Sequence, residues 1–298
     1  MRDAINNLIK STYILKYKLP ESDIPKTTIT TLNDYCYEPI SDNSVAESIY
    51  NSIIDYCLNE TEIDITKLNE NQIYAIENRL RYLSEDSLDT QLKYGFFGET
   101  LLNIILEVLF NSSKIIAKGY FYSPVEKSEP KGYDCFHFVE SDTGEKEFWF
   151  GESKMYKSIS LATKSVIDNI NKSLSKKYYE SNLRVILSRA NDLDETNCTP
   201  LFLDILYKIK QGPISLFDEF KNNNIKVMYP ILLAYDDSST SYKGKITNSV
   251  HKIQNKIDQI SLINEIGASI IFILIPMGSV VNIKKDVLKW ISQQKSIL

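Results

Sequence analysis

Histidine is almost missing from this 298-residue chain, which has only His137 and His251. Histidine-based catalysis or a histidine-ligated metal would have to use one of these two. Cysteine is sparse as well. Cys36, Cys57, Cys135 and Cys198 are scattered without CxxC spacing, which argues against zinc and disulfide frameworks and for a reducing cytoplasm. The ten glycines form no Walker or dinucleotide-binding pattern, so the chain is not read as an ATPase on its own. A nucleophile elbow for Ser–His–Asp chemistry is absent. No apolar run approaches the ~18 residues of a membrane span. The opening MRDAINNLIKSTY carries Asp3 and no long apolar stretch, so it is not read as a signal peptide. Zinc-finger, recognition-helix and RNP patterns are also missing, so sequence-specific DNA reading is not expected.

What is present is a globular composition, 43% hydrophobic and 24% charged, enough for one large domain or two small ones. The net charge of -5 opposes unaided DNA binding, but charge is unevenly spread. Residues 1–100 hold 17 acids and 9 bases, a net of -8. Residues 154–177 hold six lysines against Asp168 alone, a net of +5. Positive charge therefore collects where a phosphodiester backbone would need it, or forms an ordinary solvated helix face.

The stretch just before that basic segment, Lys131 to Lys154, organises the rest. Tyr133 to Val139 and Glu147 to Lys154 read as the arms of a β-hairpin joined through a polar connection containing Gly144. Antiparallel pairing brings the start of one arm beside the end of the other, so Asp134 and Glu152 should lie side by side. Glu152 and Lys154 are two apart and share a strand face. Two carboxylates in one place repel unless a cation or proton intervenes. Mg²⁺ takes such hard oxygen ligands, and a neighbouring lysine can offset charge on a phosphate. The plainer reading is a surface hairpin with a cross-strand ion pair. His137 falls on the face opposite Asp134 and reads as packing or surface.

Elsewhere, periodicity predicts a short N-terminal helix, a strand at Tyr13–Tyr17, a strand at Thr27–Leu32, and helices over Asp42–Leu58 and Thr66–Ser84. Asp42 or Ser44 is the candidate cap of the first long helix. A strongly apolar helix is expected over Leu88–Phe110, with Glu99 in its middle. A buried carboxylate needs a partner: Glu99 is read as a metal ligand or a support for metal-bound water, and the plainer reading is a polar strip or a pairing with a lysine. Lys114–Tyr122 reads as a core strand and Ile159–Leu174 as a helix. Leu183–Leu187 is ambiguous between strand and helix, and Asn191–Thr199 reads as a loop. Helices follow at Pro200–Gln211 and Pro213–Asn222. Ile225–Tyr235 is a strand whose Pro230 suggests an edge or bulge. A helix over Ile246–Ile263, a doubly covered strand at Ala268–Pro276 and a helix over Ile283–Gln294 complete an α/β sandwich around a mixed sheet.

The KGYD and GESK segments, with Gly98-Glu99 on the preceding helix, resemble the PD-(D/E)xK nuclease superfamily. Gly132-Tyr133 stands where that group often has proline, and the glutamine that some members carry on the next helix is absent. More narrowly, the FFGE helix, the hairpin and the long N-terminal extension resemble the HamA family of nuclease subunits of the Hachiman anti-phage system. The resemblance implies a restriction-endonuclease-like α/β core over 88–298 behind a mainly helical, acidic N-terminal extension over 1–87. It implies a DNA nuclease of little sequence specificity using Mg²⁺, or alternatively Mn²⁺. Asp134, Glu152, the Ser153 carbonyl and Glu99 would be its metal ligands, and Lys154 its catalytic amine. It also implies a helicase partner, HamB-like, in a heteromeric complex that restrains the nuclease, and no membrane association. The rival reading is a catalytically inactive nuclease-like module that binds a partner or DNA ends.

Overall fold

A computed structural model describes residues 2–298 apart from 22, 25, 27–29, 31, 141–143, 190–191, 194–199, 212–214 and 240. The chain begins with α1 (Asp3–Thr12), β1 (Tyr13–Leu19), β2 (Asp34–Pro39), α2 (Asp42–Asn51), α3 (Ile53–Cys57) and α4 (Leu68–Asn78). It continues with α5 (Leu88–Gln91), α6 (Phe96–Leu109), β3 (Ser113–Lys114), β4 (Cys135–Glu140) and β5 (Lys146–Tyr156). Next come α7 (Ile159–Ser173), α8 (Lys176–Ser188), α9 (Pro200–Gln211), α10 (Leu216–Asn222) and β6 (Ile225–Asp236). It ends with α11 (Tyr242–Ile257), β7 (Ser269–Met277) and α12 (Val280–Ser292).

Among the described residues the strands form one seven-stranded sheet, ordered β1-β2-β7-β6-β5-β4-β3. The inner strands β2, β7, β6 and β5 run parallel, while β1, β4 and β3 are antiparallel additions at the two sides. The mixed sheet flanked by helices is therefore as expected. Residues 1–87 contribute strands as well as helices, and β2 was not foreseen. Its pairing with β7 makes this segment part of the same sheet. Alternation along β5 builds two cores. Phe148 and Phe150 enter the one beneath α7, α8, α10 and α11, and Trp149 and Met155 the one beneath α1, α2, α6 and α12.

Several expectations need correction. Lys114–Tyr122 is not a strand: only Ser113–Lys114 pairs, and Lys118–Phe121 forms a 3₁₀ turn. Gly119 allows that turn, because a Cβ there would stand 2.5 Å from the Cys57 carbonyl oxygen. The Leu88–Phe110 helix divides into α5 and α6, and the Asp42–Leu58 helix divides at Ser52. Ser41, rather than Asp42 or Ser44, caps α2 by accepting from the Ser44 amide. Asp42 instead accepts from the Gly278 and Ser279 amides at 2.9 and 2.7 Å, tying α2 to the start of α12. Leu183–Leu187 resolves as helix within α8. Pro230 lies in central strand β6, not at an edge. The β5–β6 ladder skips from Trp149–Met228 to Glu152–Ile231, leaving Gly151 opposite Pro230. The strand at Thr27–Leu32 and the loop at Asn191–Thr199 lie largely outside the described residues.

Candidate active site

The hairpin forms with the expected register: Cys135 pairs with Gly151, and the Asp134 amide donates to the Gly151 carbonyl at 2.9 Å. Asp134 thus stands opposite Glu152, one residue before β4 begins rather than on it. Aromatic packing holds this register. The Tyr133 ring lies 4.3 Å from Phe150 and 6.1 Å from Phe136, centroid to centroid. Gly151 lets β4, β5 and β6 close together, since a Cβ there would meet Pro230 O at 2.8 Å and Cys135 Sγ at 3.1 Å.

Asp134 is fixed by its neighbour across the hairpin. Its Oδ2 accepts from the Ser153 amide at 2.7 Å and from Ser153 Oγ at 2.9 Å. Lys154 shares a strand face with Glu152. It forms an ion pair with that carboxylate and donates to the Ser153 carbonyl at 3.0 Å. Both side chains are about one-fifth exposed, 18% for Lys154 and 22% for Glu152, so the pair lies recessed but reachable.

Glu99 reaches the same region from α6. It is buried at 9% exposure, and its Oε2 accepts from the Tyr56 hydroxyl at 2.6 Å. Its Oε1 would lie only 2.4 Å from a Cβ on Gly95, so the missing side chain there makes room for the carboxyl group. Gly98 lets α6 approach β5, where a Cβ would come within 3.1 Å of Ser153 Oγ. Lys118 is a site member the sequence reading missed. Its buried ammonium donates to the Tyr133 carbonyl at 2.7 Å. A lysine inside the apolar run KIIAKGYFY was the available signal.

The electrostatics tie these groups together. Burial, then repulsion from Asp134, pushes the Glu99 carboxyl up to about 8. The same two causes push Glu152 up to about 7, with Lys154 pulling the other way. For Lys154, burial disfavours the charge, but Asp134 and Glu152 more than offset it and raise the ammonium well above its usual range. Lys118 is likewise raised against burial by Glu99, Glu129 and Asp134. Asp134 is thus the carboxylate acting on both Glu99 and Glu152.

Among the described residues, no three His, Cys, Asp or Glu side chains gather closely enough to form a ready metal cage. Glu99, Asp134 and Glu152 share one electrostatic neighbourhood without forming one ligand cluster. The donor chemistry still fits a hard divalent ion. Magnesium commonly takes one or two carboxylates and fills its other positions with water and phosphate. The repulsion that Asp134 exerts on Glu99 and on Glu152 is what such an ion would relieve. His137 plays no part as a ligand. It is fully buried, between Ser112 Oγ and Asn103 Oδ1 at 2.9 Å each, and burial together with Lys114 holds it near 3, neutral. Asn103 passes that order on, donating to the Glu99 carbonyl at 2.9 Å and the Asp134 carbonyl at 3.3 Å.

Fold and site together define a three-layer α/β protein with a carboxylate–lysine cluster where an antiparallel hairpin meets parallel strands. The sequence model of one family, HamA, matches residues 5–291, and the chain belongs to that family. Membership implies a role in Hachiman anti-phage defence. No curated protein and no solved structure matches the chain.

Proposed function

We propose that this protein is a Mg²⁺-dependent DNA nuclease of the PD-(D/E)xK type and an effector of anti-phage defence. The observation that carries this reading is Asp134 opposite Glu152, with Lys154 on the same face ion-paired to Glu152. Asp134 and Glu152 would hold the ion, with the Ser153 carbonyl and Glu99 as candidate supporting oxygens. When bound, the ion supplies positive charge that favours ionised water and offsets charge on the phosphate.

The chain's own groups do the rest. Ser153 orients Asp134 through two hydrogen bonds. Lys154 stays protonated beside its carboxylates. It is placed to stabilise negative charge growing on the phosphoryl oxygens or to orient the attacking water. Glu99, held by Tyr56, keeps its proton to higher pH through burial and the nearby Asp134 carboxylate. The scarcity of base-reading motifs supports cleavage with little sequence preference. The family resemblance supports a helicase partner that restrains the nuclease and releases it on damaged or invading DNA. The acidic front at 1–100 is a candidate contact for that partner.

The test uses the full chain, linear and circular DNA, and Mg²⁺ against EDTA. Wild type should degrade DNA only with the ion, while Glu152→Ala and Lys154→Ala should lose at least about a hundredfold in rate, the scale of losing one transition-state charge contact. Equal, metal-independent inactivity of all three, with or without the helicase, favours the inactive-module reading.

A further inference from the structure

Beside the carboxylate–lysine cluster lies a cleft of about 740 Å³ between the α5–α6 junction, the end of β5 and the first turns of α12. Gly95 and Gly98 line it, so it borders the Glu99 carboxyl group and Ser153. Five of its lining residues are lysines, namely Lys93, Lys154, Lys157, Lys284 and Lys285, with Asp89 the acid among them.

Lys284 is the unusual member. It sits on the apolar stripe of α12, among Val280, Ile283, Val287, Leu288 and Ile291, and is only 8% exposed. Its ammonium donates to the Leu92 carbonyl at 3.0 Å and stands 5.1 Å from the centre of the Phe97 ring. Among the described residues it makes no ion pair with a carboxylate. Burial alone lowers it, to about 8. A buried ammonium with one carbonyl and one ring face is poorly compensated, and methionine would fill the same space without that cost. The buried lysines elsewhere contrast with it: Lys114 has Glu107 and two carbonyls, and Lys118 has the nearby carboxylates.

We propose that this cleft carries the phosphodiester backbone of DNA to the acid–lysine cluster and that Lys284 binds a backbone phosphate within it. The inference rests on the nuclease reading for what happens to the strand, but the binding it asserts is separable from cutting. A bound phosphate supplies the counter-charge that the fold leaves out, and Lys93 on the α5–α6 junction, Lys157 after β5 and Lys285 on α12 add positive charge from all three walls. Lys284 is a binding residue here. Lys154, which also lines the cleft, belongs to the cluster itself.

The test measures affinity of the full chain for a fluorescein-labelled random-sequence DNA duplex by anisotropy across a salt series. Ca²⁺ replaces Mg²⁺ so that the carboxylates are neutralised, and gels of the same samples monitor cutting. Lys284→Met should weaken binding about ten- to hundredfold, the range of a hydrogen bond to a charged group. It should also reduce the slope of log K against log salt by about 1. Because it removes a poorly compensated buried charge, its melting temperature should equal or exceed that of wild type. Lys284→Arg should restore part of the affinity. Lys221→Gln, on α10 across the sheet, should leave affinity unchanged.

Unchanged affinity and slope in Lys284→Met would overturn the proposal, as would an equal loss in Lys221→Gln or no binding by wild type. A melting temperature that falls in Lys284→Met while binding holds would mark the lysine as structural and overturn it too. If wild type binds through Lys284 yet never cuts in Mg²⁺, the cleft assignment stands and the nuclease reading fails. If it cuts while Lys284→Met binds normally, the reverse holds.

Discussion

Two carboxyl groups in this site hold protons at pH values where an ordinary side chain has lost them. Glu99 titrates near 8 and Glu152 near 7, first through burial and then through Asp134. In the unfolded chain both would titrate near 4.3. The folded state thus binds more protons between those values, so stability of the metal-free protein should decline as pH rises from about 5 to about 8. Differential scanning fluorimetry in EDTA checks this, and Glu99→Gln should flatten the upper part of the decline. A melting temperature that climbs across that window would contradict the assignment. Tyr56→Phe removes the hydroxyl that Glu99 accepts from and should cost about 1–3 kcal/mol by urea denaturation. At this scale the sequence was informative where a local rule applied. Period-two alternation and a turn placed Asp134, Glu152 and Lys154 together. Tyr56 was not legible, and Lys118 was signalled only as a lysine in an apolar run, because they arrive from a broken helix and a 3₁₀ turn whose positions only tertiary packing sets.

The elements meet the site through a few close approaches. Gly151 and Pro230 face each other in neighbouring central strands, where the proline has no amide to give the ladder and the glycine leaves space for its ring. Gly151→Ala should cost about 1–3 kcal/mol, because the added carbon presses on backbone and a packed sulfur rather than on a mobile side-chain end. Asp42→Ala should cost about 1–3 kcal/mol by leaving the Gly278 and Ser279 amides, just ahead of α12, without their carboxylate acceptor. Denaturation midpoints measure both. Long apolar stretches told helix from strand correctly for α6, α7, α11, α12, β6 and β7. They could not show that α5 and α6 part before Phe96, nor that Gly95 is needed there because a Cβ would meet the Glu99 carboxyl group. Nor could they show that KIIAKGYFY folds as a turn, because the decisive contact is with Cys57, far away in the chain.

For the whole molecule, the N-terminal segment behaves as part of the core. Ile5, Ile9, Tyr13 and Tyr37 are buried in the same apolar cluster as Leu101, Ile273 and Val287. Arg2 pairs with Asp55 and also donates to the carbonyl of Leu298. A chain beginning at Asp42 should therefore lose cooperative unfolding, visible as a broadened or missing calorimetric transition, rather than leave a stable core. Composition and element order made the α/β class and its mixed sheet legible, but β2 escaped notice because its DYCYEP stretch is short and lacks the β-branched run of a buried strand. Under the proposed function, Asp134 and Glu152 jointly hold one divalent ion while Lys154 acts on the substrate. Isothermal titration of Mg²⁺ into the full chain tests it most directly. Wild type and Lys154→Ala should each bind one ion, and Asp134→Ala and Glu152→Ala should bind none. Equal binding by all four proteins, or none by wild type, would contradict it.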